Sequence, residues 1–195
     1  MVAEIKHLTM EELERGLDDI RRSPKDEGTL ELIVRRPKVE ARELLEEGEL
    51  SLIEGLVGDS WSTRGSPRTA DGSAHPEMQI NIMNSRVSAL VSQAKDRWAL
   101  AGDQLYIDMD LSAENLPAGT RLALGSAVIE ISALPHTGCK KFVSRFGLDA
   151  MKFVNSALGK KLNLRGVNAK VLRGGVIRVG DIVRKIQPEL KSAAD

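Results

Sequence analysis

Apolar and polar residues alternate in several short stretches of the chain, and this period of two predicts β-strands. The best examples are MQINIM at 78–83 and QLYIDMD at 104–110. Further strands are predicted at 29–36, 121–124, 127–131 and 181–186, and a hairpin is predicted for 166–179, with its turn at Gly174-Gly175. Many short strands joined by Gly and Pro turns favour a mostly β fold with a closed or sandwich-like sheet.

Helical periodicity is confined to a few segments between these strands. Thr9 and Glu12 form a capping-box pattern, so a helix is expected from there to about Arg22. Because that segment carries few apolar residues, we expect a surface helix outside the core. Shorter helices are expected within 39–54 and 85–94, and a helical stretch from Phe142 to Leu158 should be broken near Gly147.

These elements divide the 195-residue chain into one main domain and two terminal segments. We expect an N-terminal helical extension at 1–28, a main domain at 29–187 and a tail at 188–195. Residues 62–76 are rich in Ser, Thr, Gly, Pro and Asp and should form a long exposed loop. The fold class expected from the pattern is therefore mostly β with inserted helices (α+β).

Charge is balanced overall, with 28 basic and 28 acidic residues, but it is unevenly distributed. From Cys139 onwards there are 13 Lys or Arg against 4 Asp or Glu. With only 3% aromatic residues there is little to stack on bases, so a small anionic ligand such as phosphate is expected rather than nucleic acid. No apolar run approaches the length of a membrane span, and a single cysteine without a secretory signal predicts a cytoplasmic protein without membrane contact.

The single cysteine is the principal candidate for chemistry. Cys139 lies in PHTGCKKF, where Pro135 and Gly138 predict a loop that leaves a strand. Lys140, Lys141 and Arg145 follow, and positive charge favours thiolate over thiol. Such a sulfur suits a nucleophile, a sulfur carrier or a ligand to a soft metal, whereas the common alternative is a small buried apolar residue without chemistry.

Two other classes of function remain open from the residues themselves. His136 or His75 would serve as the base of a Cys–His hydrolase, although an isolated loop histidine is more often a bystander. A non-catalytic binding module would be favoured by a buried, unreactive Cys139. One cysteine and scattered histidines lack the spacing of a zinc site.

Several motifs together resemble the MOSC domain, the C-terminal domain of molybdenum-cofactor sulfurase, which also occurs as a stand-alone protein. The matching segments are GLVGDSW at 55–61, MQINIM at 78–83, LSAENLPAGTRLALG at 111–125, PHTGC at 135–139 and RGVNAKVLRGGVIRVGD at 165–181. They occur in the family's order and span about Thr29 to Ile186. The resemblance implies a MOSC-type β-barrel preceded here by an N-terminal helical appendage.

The resemblance also implies two alternative roles for Cys139. In the family's molybdenum reductases the equivalent cysteine binds the metal, and basic and hydroxyl side chains hold the phosphate of the pterin. In sulfurases the domain acts beside a pyridoxal-phosphate cysteine desulfurase, so here pyridoxal phosphate would be found only on a partner. Thr137 matches a hydroxyl-bearing position of the family.

Three positions depart from the reductase pattern. Ser60 replaces an arginine after the GLxGD motif, and Gly102 and Gln104 replace an arginine and an asparagine at the approach to the mid-chain strand. These changes argue against tight retention of the cofactor, and Arg64 is the candidate to compensate for the first.

The resemblance therefore implies a MOSC-domain protein that binds molybdenum cofactor and supports a reductase-type reaction. Cys139 would be the catalytic residue and molybdenum ligand, and a basic pocket facing it would contain Thr137, Lys140, Arg64 and Arg165. The alternative is a sulfur carrier that accepts persulfide sulfur on Cys139 from a desulfurase. The expected partners are accordingly a cysteine desulfurase or a redox protein.

Overall fold

The computed structural model describes residues 6–186. The strands are β1 Glu27–Arg35, β2 Glu43–Leu45, β3 Glu47–Ser51, β4 Gly55–Leu56, β5 Ile80–Asn84, β6 Leu105–Asp108, β7 Arg121–Leu124, β8 Ala127–Pro135, β9 Val167–Arg173, β10 Gly175–Arg178 and β11 Ile182–Ile186. The α-helices are α1 Met10–Arg15, α2 Leu17–Arg21, α3 Ser85–Ser92, α4 Lys140–Phe146, α5 Leu148–Asn155 and α6 Ala157–Lys161. Short 3₁₀ segments occupy Pro76–Met78 and Lys95–Ala101.

Seven strands close into a barrel. Their order is β11-β7-β8-β9-β5-β6-β1, and β1 pairs with β11 to complete the ring. Neighbours are antiparallel except for β5 and β6, which run parallel and are joined through α3. The closing register places Gly28 opposite Val183. Closure leaves the ring without an open edge, and the prediction of a mostly β, barrel-like fold with inserted helices is confirmed.

The barrel interior is filled with aliphatic side chains from alternate strand positions. Its fully buried members include Leu30, Ile80, Ile107, Leu122 and Ile129. Since side chains in a strand alternate between the two faces, the other face of β1, β5 and β6 is left for the helices.

A second apolar core lies between the outside of the barrel and the helices. Met83 and Tyr106 reach it from the strands, and Phe142 and Phe146 reach it from α4. Leu13 of α1 is fully buried in the same cluster, together with Leu17 and Ile20 of α2. The N-terminal helical segment is confirmed, but the expectation that it stays outside the core is wrong, because its few apolar residues all lie on the packed face.

Residues 39–54 form strands, so the helix predicted there is wrong. In β3, Leu50 points inward while Glu47 and Glu49 face solvent, which is the period-two pattern of a half-buried strand. β3 pairs with β10 and β4 in a second, three-stranded sheet.

The hairpin predicted across Gly174-Gly175 is also wrong. β10 pairs with β3, where Gly175 lies opposite Leu50. Both edges of β9 are already occupied by β8 and β5 in the barrel, so β9 has no free edge for β10.

The strand expected to be half-buried, β5, is buried on both faces. Ile80 and Ile82 face the barrel interior, and Met83 faces the helical core. The polar member Asn81 donates to the side-chain oxygen of Asn168 over 2.7 Å, so its burial is compensated.

Among residues 6–186, no helix combines the length and apolarity needed to cross a membrane. The tail predicted at 188–195 and residues 1–5 of the predicted extension lie outside the described residues.

Candidate functional site

Cys139 lies at the start of α4, after the loop that leaves β8. It is the N-cap residue of that helix, with extended backbone angles, and its side chain makes no capping hydrogen bond. The residue is exposed. The thiol is therefore presented to solvent on a fixed element, in agreement with a loop position and not with a buried structural cysteine.

The turn before the cysteine is held by a side-chain amide of α5. Asn155 Oδ1 accepts a hydrogen bond from the backbone N–H of Gly138 over 2.9 Å, and Asn155 Nδ2 donates to the carbonyl of Gly138 over 3.1 Å. A Cβ at Gly138 would lie 3.2 Å from Val154 Cγ2 and 3.3 Å from Asn155 Nδ2. The close approach of the turn to α5 therefore explains the glycine.

Two of the basic residues after Cys139 are paired with a carboxylate. Lys141 Nζ lies 2.7 Å from Glu40 Oε1, and Arg145 pairs with the other oxygen of the same carboxylate. The hydrogen bond from Lys141 and the charge of Arg145 lower the pKa of Glu40. Lys140 is exposed and makes no ion pair with the described residues, so it is the residue beside the sulfur whose charge is not neutralised.

Arg165 is buried in an ion pair with Asp103. Its Nη1 lies 2.7 Å and 3.0 Å from the two oxygens of Asp103, and its Nη2 donates to the carbonyl of Ala101 over 2.9 Å. Burial raises the pKa of Asp103, and Arg165 acts in the opposite direction. The guanidinium carbon also lies 5.2 Å from the ring centre of Phe142, which anchors the first turn of α4.

His136 connects the buried ion pair of Arg165 and Asp103 to the cysteine loop. Its Nδ1 is 3.4 Å from Asp103 Oδ1, although the geometry is not that of a hydrogen bond and Nδ1 has no partner among the described residues. Burial, and then repulsion from Arg165 and Arg36, keep the pKa of His136 well below its usual value. His136, Thr137 and Arg165 line one pocket of about 330 Å³.

A second arginine network lies on the other side of the turn at Gly102. Arg36 donates to both oxygens of Asp59 over 2.9 Å, to Asn81 Oδ1 over 2.8 Å and to the carbonyl of Gly102 over 2.7 Å. Both Arg36 and Asp59 are buried. The sequence reasoning did not select Arg36, and the signal that marks it is a charged pair, Arg35-Arg36, at the end of an apolar strand.

Arg42 and Arg64 form no ion pair with a carboxylate within residues 6–186, although Glu40 and Asp59 act on them from a greater distance. Arg42 donates only to the carbonyls of Ala99 and Ala41. Burial lowers its pKa, and repulsion from Arg145 and Arg36 lowers it further. Arg64 is exposed, yet partial desolvation and repulsion from Arg36 lower its pKa as well. Arg42 is a further charge that lowers the pKa of Arg64, and an anion beside such guanidinium groups would be stabilised.

The turn at Gly102 joins the cysteine loop to these arginines. A Cβ at Gly102 would lie 3.7 Å from Arg42 Nη2 and 3.9 Å from Arg145 Nη1. Arg145 belongs to the helix that Cys139 begins. Of the predicted site residues, Thr137 and Arg165 are thus brought to the cysteine loop, Arg64 lies towards Arg36 and Arg42, and Lys140 lines neither of the pockets described here.

The three departures from the reductase pattern have structural roles here. Gln104 is fully buried, and its amide bonds the N–H of Asn81 and the carbonyl of Gln79. Gly102 has a φ of +92°, a region that favours glycine. The N–H of Ser60 donates to the carbonyl of Arg36. A guanidinium therefore reaches Asp59 from Arg36 and not from position 60.

The sequence profile of the MOSC domain matches residues 73–184, which is more than half of the chain and includes the cysteine loop. The chain belongs to the MOSC domain family. This result confirms the resemblance drawn from the motifs. No curated protein matches the MOSC chain.

Solved structures show the same fold at low sequence identity. The YuaD protein from Bacillus subtilis superimposes with a TM-score of 0.57 at 16% identity, over 83% of this MOSC chain and 97% of that one. YiiM from Geobacillus stearothermophilus gives a TM-score of 0.56 at 13% identity, with coverage of 84% and 77%. YiiM from Escherichia coli gives 0.52 at 18%, with coverage of 82% and 70%.

The described part of the MOSC chain offers little support for two other kinds of site. Within residues 6–186, no group of three His, Cys, Asp or Glu side chains is arranged to hold a metal ion. In the same range no hydrogen bond joins Cys139 to His136 or His75, and His75 lines a different pocket. Residues 6–186 therefore contain no hydrogen-bonded pair of Cys139 and a histidine.

Proposed function

We propose that this MOSC protein binds molybdenum cofactor through Cys139 and supports a reductase-type reaction. The observation that carries the proposal is an exposed thiol whose helix packs against the turn at Gly102, which Arg42 approaches without forming an ion pair to a carboxylate of residues 6–186. A soft thiolate is a suitable ligand for molybdenum, and arginine is well matched to phosphate oxygens.

The residues present fit such a cofactor. Arg42 and Arg64 have no carboxylate partner within residues 6–186, so their charge is available to the phosphate of a pterin. Within residues 6–186, the side chain of Cys139 makes no capping hydrogen bond that would hold its sulfur away from a metal. When bound, the cofactor would supply a metal that accepts or donates an oxygen atom with two electrons.

The roles of the chain's own side chains follow from their positions. Cys139 would be the protein ligand of the metal, and Arg42 and Arg64 would hold the phosphate. Thr137 would donate its hydroxyl from the same loop, and Lys140 would stabilise the thiolate. Arg165 belongs to the site in a positioning role, because Asp103 already occupies its guanidinium.

Elemental analysis tests the metal. The wild-type protein, expressed in a host that makes molybdenum cofactor, should retain molybdenum and release an oxidised pterin detectable by its fluorescence. Cys139→Ser should lose the metal, and Arg42→Gln should reduce the pterin content. Arg173→Gln, an exposed position on β9, is the matched control and should retain both.

A wild-type protein that carries neither molybdenum nor pterin under these conditions overturns the proposal. Equal metal content in the wild-type protein and Cys139→Ser would overturn the ligand role of the cysteine and leave phosphate binding to be judged from the pterin alone.

The exposure of Cys139 also favours a second candidate, a sulfur carrier. The Cys139 thiolate would attack the terminal sulfur of a persulfide on a desulfurase partner. A sulfur–sulfur bond forms on Cys139, the original one breaks, and the cysteine thiolate of the partner leaves. Arg145 and Lys141 share Glu40 nearby, so Lys140 is the cation that would stabilise the resulting persulfide anion.

Mass spectrometry separates the two candidates. After incubation with a pyridoxal-phosphate cysteine desulfurase and cysteine, a carrier gains one sulfur atom on Cys139, and a reducing agent removes it.

A thiol reagent should label the native protein at this position under the same conditions. Labelling only after denaturation would contradict both the ligand and the carrier role.

A further inference from the structure

A separate pocket lies under the loop that follows the GLVGDSW motif. Its volume is about 210 Å³, and its lining includes Trp61, Arg64, Pro67, Arg68, His75 and Met78. None of the residues that carry the cysteine loop lines it. It is therefore distinct from the pocket formed by His136, Thr137 and Arg165.

The polar groups of this pocket that have no partner are hydrogen-bond donors. Trp61 is 8% exposed, and its indole Nε1 is buried without a hydrogen-bond partner among residues 6–186. An indole N–H can only donate, and burial without a partner is unfavourable for it.

His75 adds a second donor of fixed tautomer. Its Nδ1 accepts a hydrogen bond from the N–H of Glu77 over 3.2 Å. In the neutral ring the proton is then on Nε2, which makes that nitrogen a donor. In that form His75 is a donor at its free ring nitrogen, as Trp61 is at Nε1.

Arg64 and Arg68 give the pocket a positive charge. Neither forms an ion pair with the described residues, and no Asp or Glu lines the pocket. Hydrogen bonds within the loop hold the segment that carries Arg68. Ser66 Oγ accepts from the N–H of Arg68, and Thr69 Oγ1 lies 2.9 Å and 2.6 Å from the carbonyl oxygens of Ser66 and Ser73, which share its single proton. The guanidinium is thus attached to an organised turn.

The remaining lining is apolar. The indole ring of Trp61, the ring of Pro67 and the side chain of Met78 provide surface for a hydrocarbon group. We propose that this pocket binds a small organic acid, whose carboxylate accepts hydrogen bonds from Arg64 and Arg68 and whose apolar body packs on Trp61, Pro67 and Met78. A neutral or cationic ligand of the same shape would leave the guanidinium charges uncompensated.

The inference goes beyond the proposed function and does not depend on it. The pocket shares only Arg64 with the proposed phosphate site, and neither Cys139 nor Arg42 lines it. Binding of an organic acid is therefore expected in protein without any cofactor and in Cys139→Ser. Loss of molybdenum and loss of acid binding are separate outcomes.

Fluorescence of Trp61 provides the readout. The chain has two tryptophans, so Trp98→Phe leaves Trp61 as the single one. Cyclohexanecarboxylate is the probe because it does not absorb where tryptophan is excited, and cyclohexanecarboxamide is its neutral counterpart. The carboxylate should change the Trp61 emission saturably, and the amide should bind at least roughly tenfold more weakly, as expected when hydrogen bonds to a charged group are lost.

Arg68→Gln in the same background should weaken carboxylate binding roughly tenfold or more, and Arg173→Gln should leave it unchanged. If Trp98→Phe does not fold, calorimetric titration of the full chain, with and without Arg68→Gln, replaces the fluorescence measurement. The absence of saturable binding, equal affinity for carboxylate and amide, or equal affinity in Arg68→Gln would each overturn the proposal.

Discussion

Arg36 and Asp59 face each other through two parallel hydrogen bonds, Nε to Oδ2 and Nη2 to Oδ1, each 2.9 Å long. The backbone N–H of Arg36 donates to the same carboxylate, and so does that of Trp61 over 3.0 Å. One buried carboxylate thereby joins the end of β1 to the segment that carries Trp61. This pair fixes the start of the loop on which both Arg64 and Arg68 lie.

Asp59→Asn should destabilise the protein strongly, because it leaves a guanidinium that is 5% exposed without its countercharge. Removing one partner of a buried ion pair typically costs about 3–5 kcal/mol. Urea denaturation measures this change in the free energy of unfolding.

The neighbouring pair of Arg35 and Glu43 is the control for that experiment, since both side chains are substantially exposed. Glu43→Gln should cost less than about 1 kcal/mol. Similar losses in Asp59→Asn and Glu43→Gln would contradict the assignment of the buried pair as the stabilising one.

His136 should make stability depend on pH. Its pKa is lowered in the folded protein, whereas the unfolded chain protonates it near the ordinary histidine pKa of about 6.5. As pH falls below that value the unfolded state binds more protons, so the contribution is full above about 6.5 and is lost on acidification. The slope from this residue is at most about 1.4 kcal/mol per pH unit.

Asp103, which faces His136 with Arg165 and Arg36, has a raised pKa and contributes a slope of the opposite sign. The comparison that isolates His136 is therefore wild type against His136→Gln, with unfolding free energies measured between about pH 5 and 7. The variant should lose the stability gain on raising the pH, and the control His75→Gln should retain it. An unchanged slope in His136→Gln would refute the buried neutral histidine.

Gly166 should tolerate no side chain. Its φ is +107°, and a Cβ would lie 2.1 Å from the carbonyl oxygen of Ile82. Gly166→Ala should therefore cost more than about 3 kcal/mol, since backbone strain is joined by a clash with backbone. Gly180→Ala is the matched control, because φ is +93° there but nothing lies within 4 Å. It should cost only about 1–2 kcal/mol, and thermal denaturation would show the difference.

The N-terminal helices should contribute to global stability. Leu13 is fully buried against the helical core, and Leu13→Ala should cost about 2–5 kcal/mol in one cooperative transition. Leu44→Ala, at a position that is 60% exposed, should change stability by less than about 0.5 kcal/mol. A separate early transition for Leu13→Ala, with the main transition unchanged, would instead indicate an independent N-terminal unit.

Local patterns predicted the barrel strands well because each strand carries its own apolar period. The strand of Ile80 and Ile82 was found in this way, but its burial on both faces depends on helices far away in the chain. The pairing of β10 with β3 joins Gly175 to Leu50, a contact that the local Gly174-Gly175 turn signal cannot reveal. Sequence reasoning thus located elements better than it located their partners.

The candidate site shows the same limit. Cys139 stood out because it is unique and its neighbours are turn-forming and basic. Arg36 and Asp59 are 23 residues apart, and Asp103 meets Arg165 across 62 residues, so their pairing could not be predicted from spacing. Likewise, the sequence suggested Arg165 as a free cation, because its partner Asp103 lies far away along the chain and could not be recognised from the neighbouring residues.

Asn155 holds both backbone polar groups of Gly138 with one planar amide. Asn155 therefore fixes the orientation of the cysteine turn relative to α5. The same helix is tied to the N-terminal helices, because Asp149 accepts a hydrogen bond from the N–H of Met10. A spin label attached to the single thiol of this chain would accordingly report movements of α5 and of the N-terminal helices, and would serve as a distance marker for the helical layer as a whole.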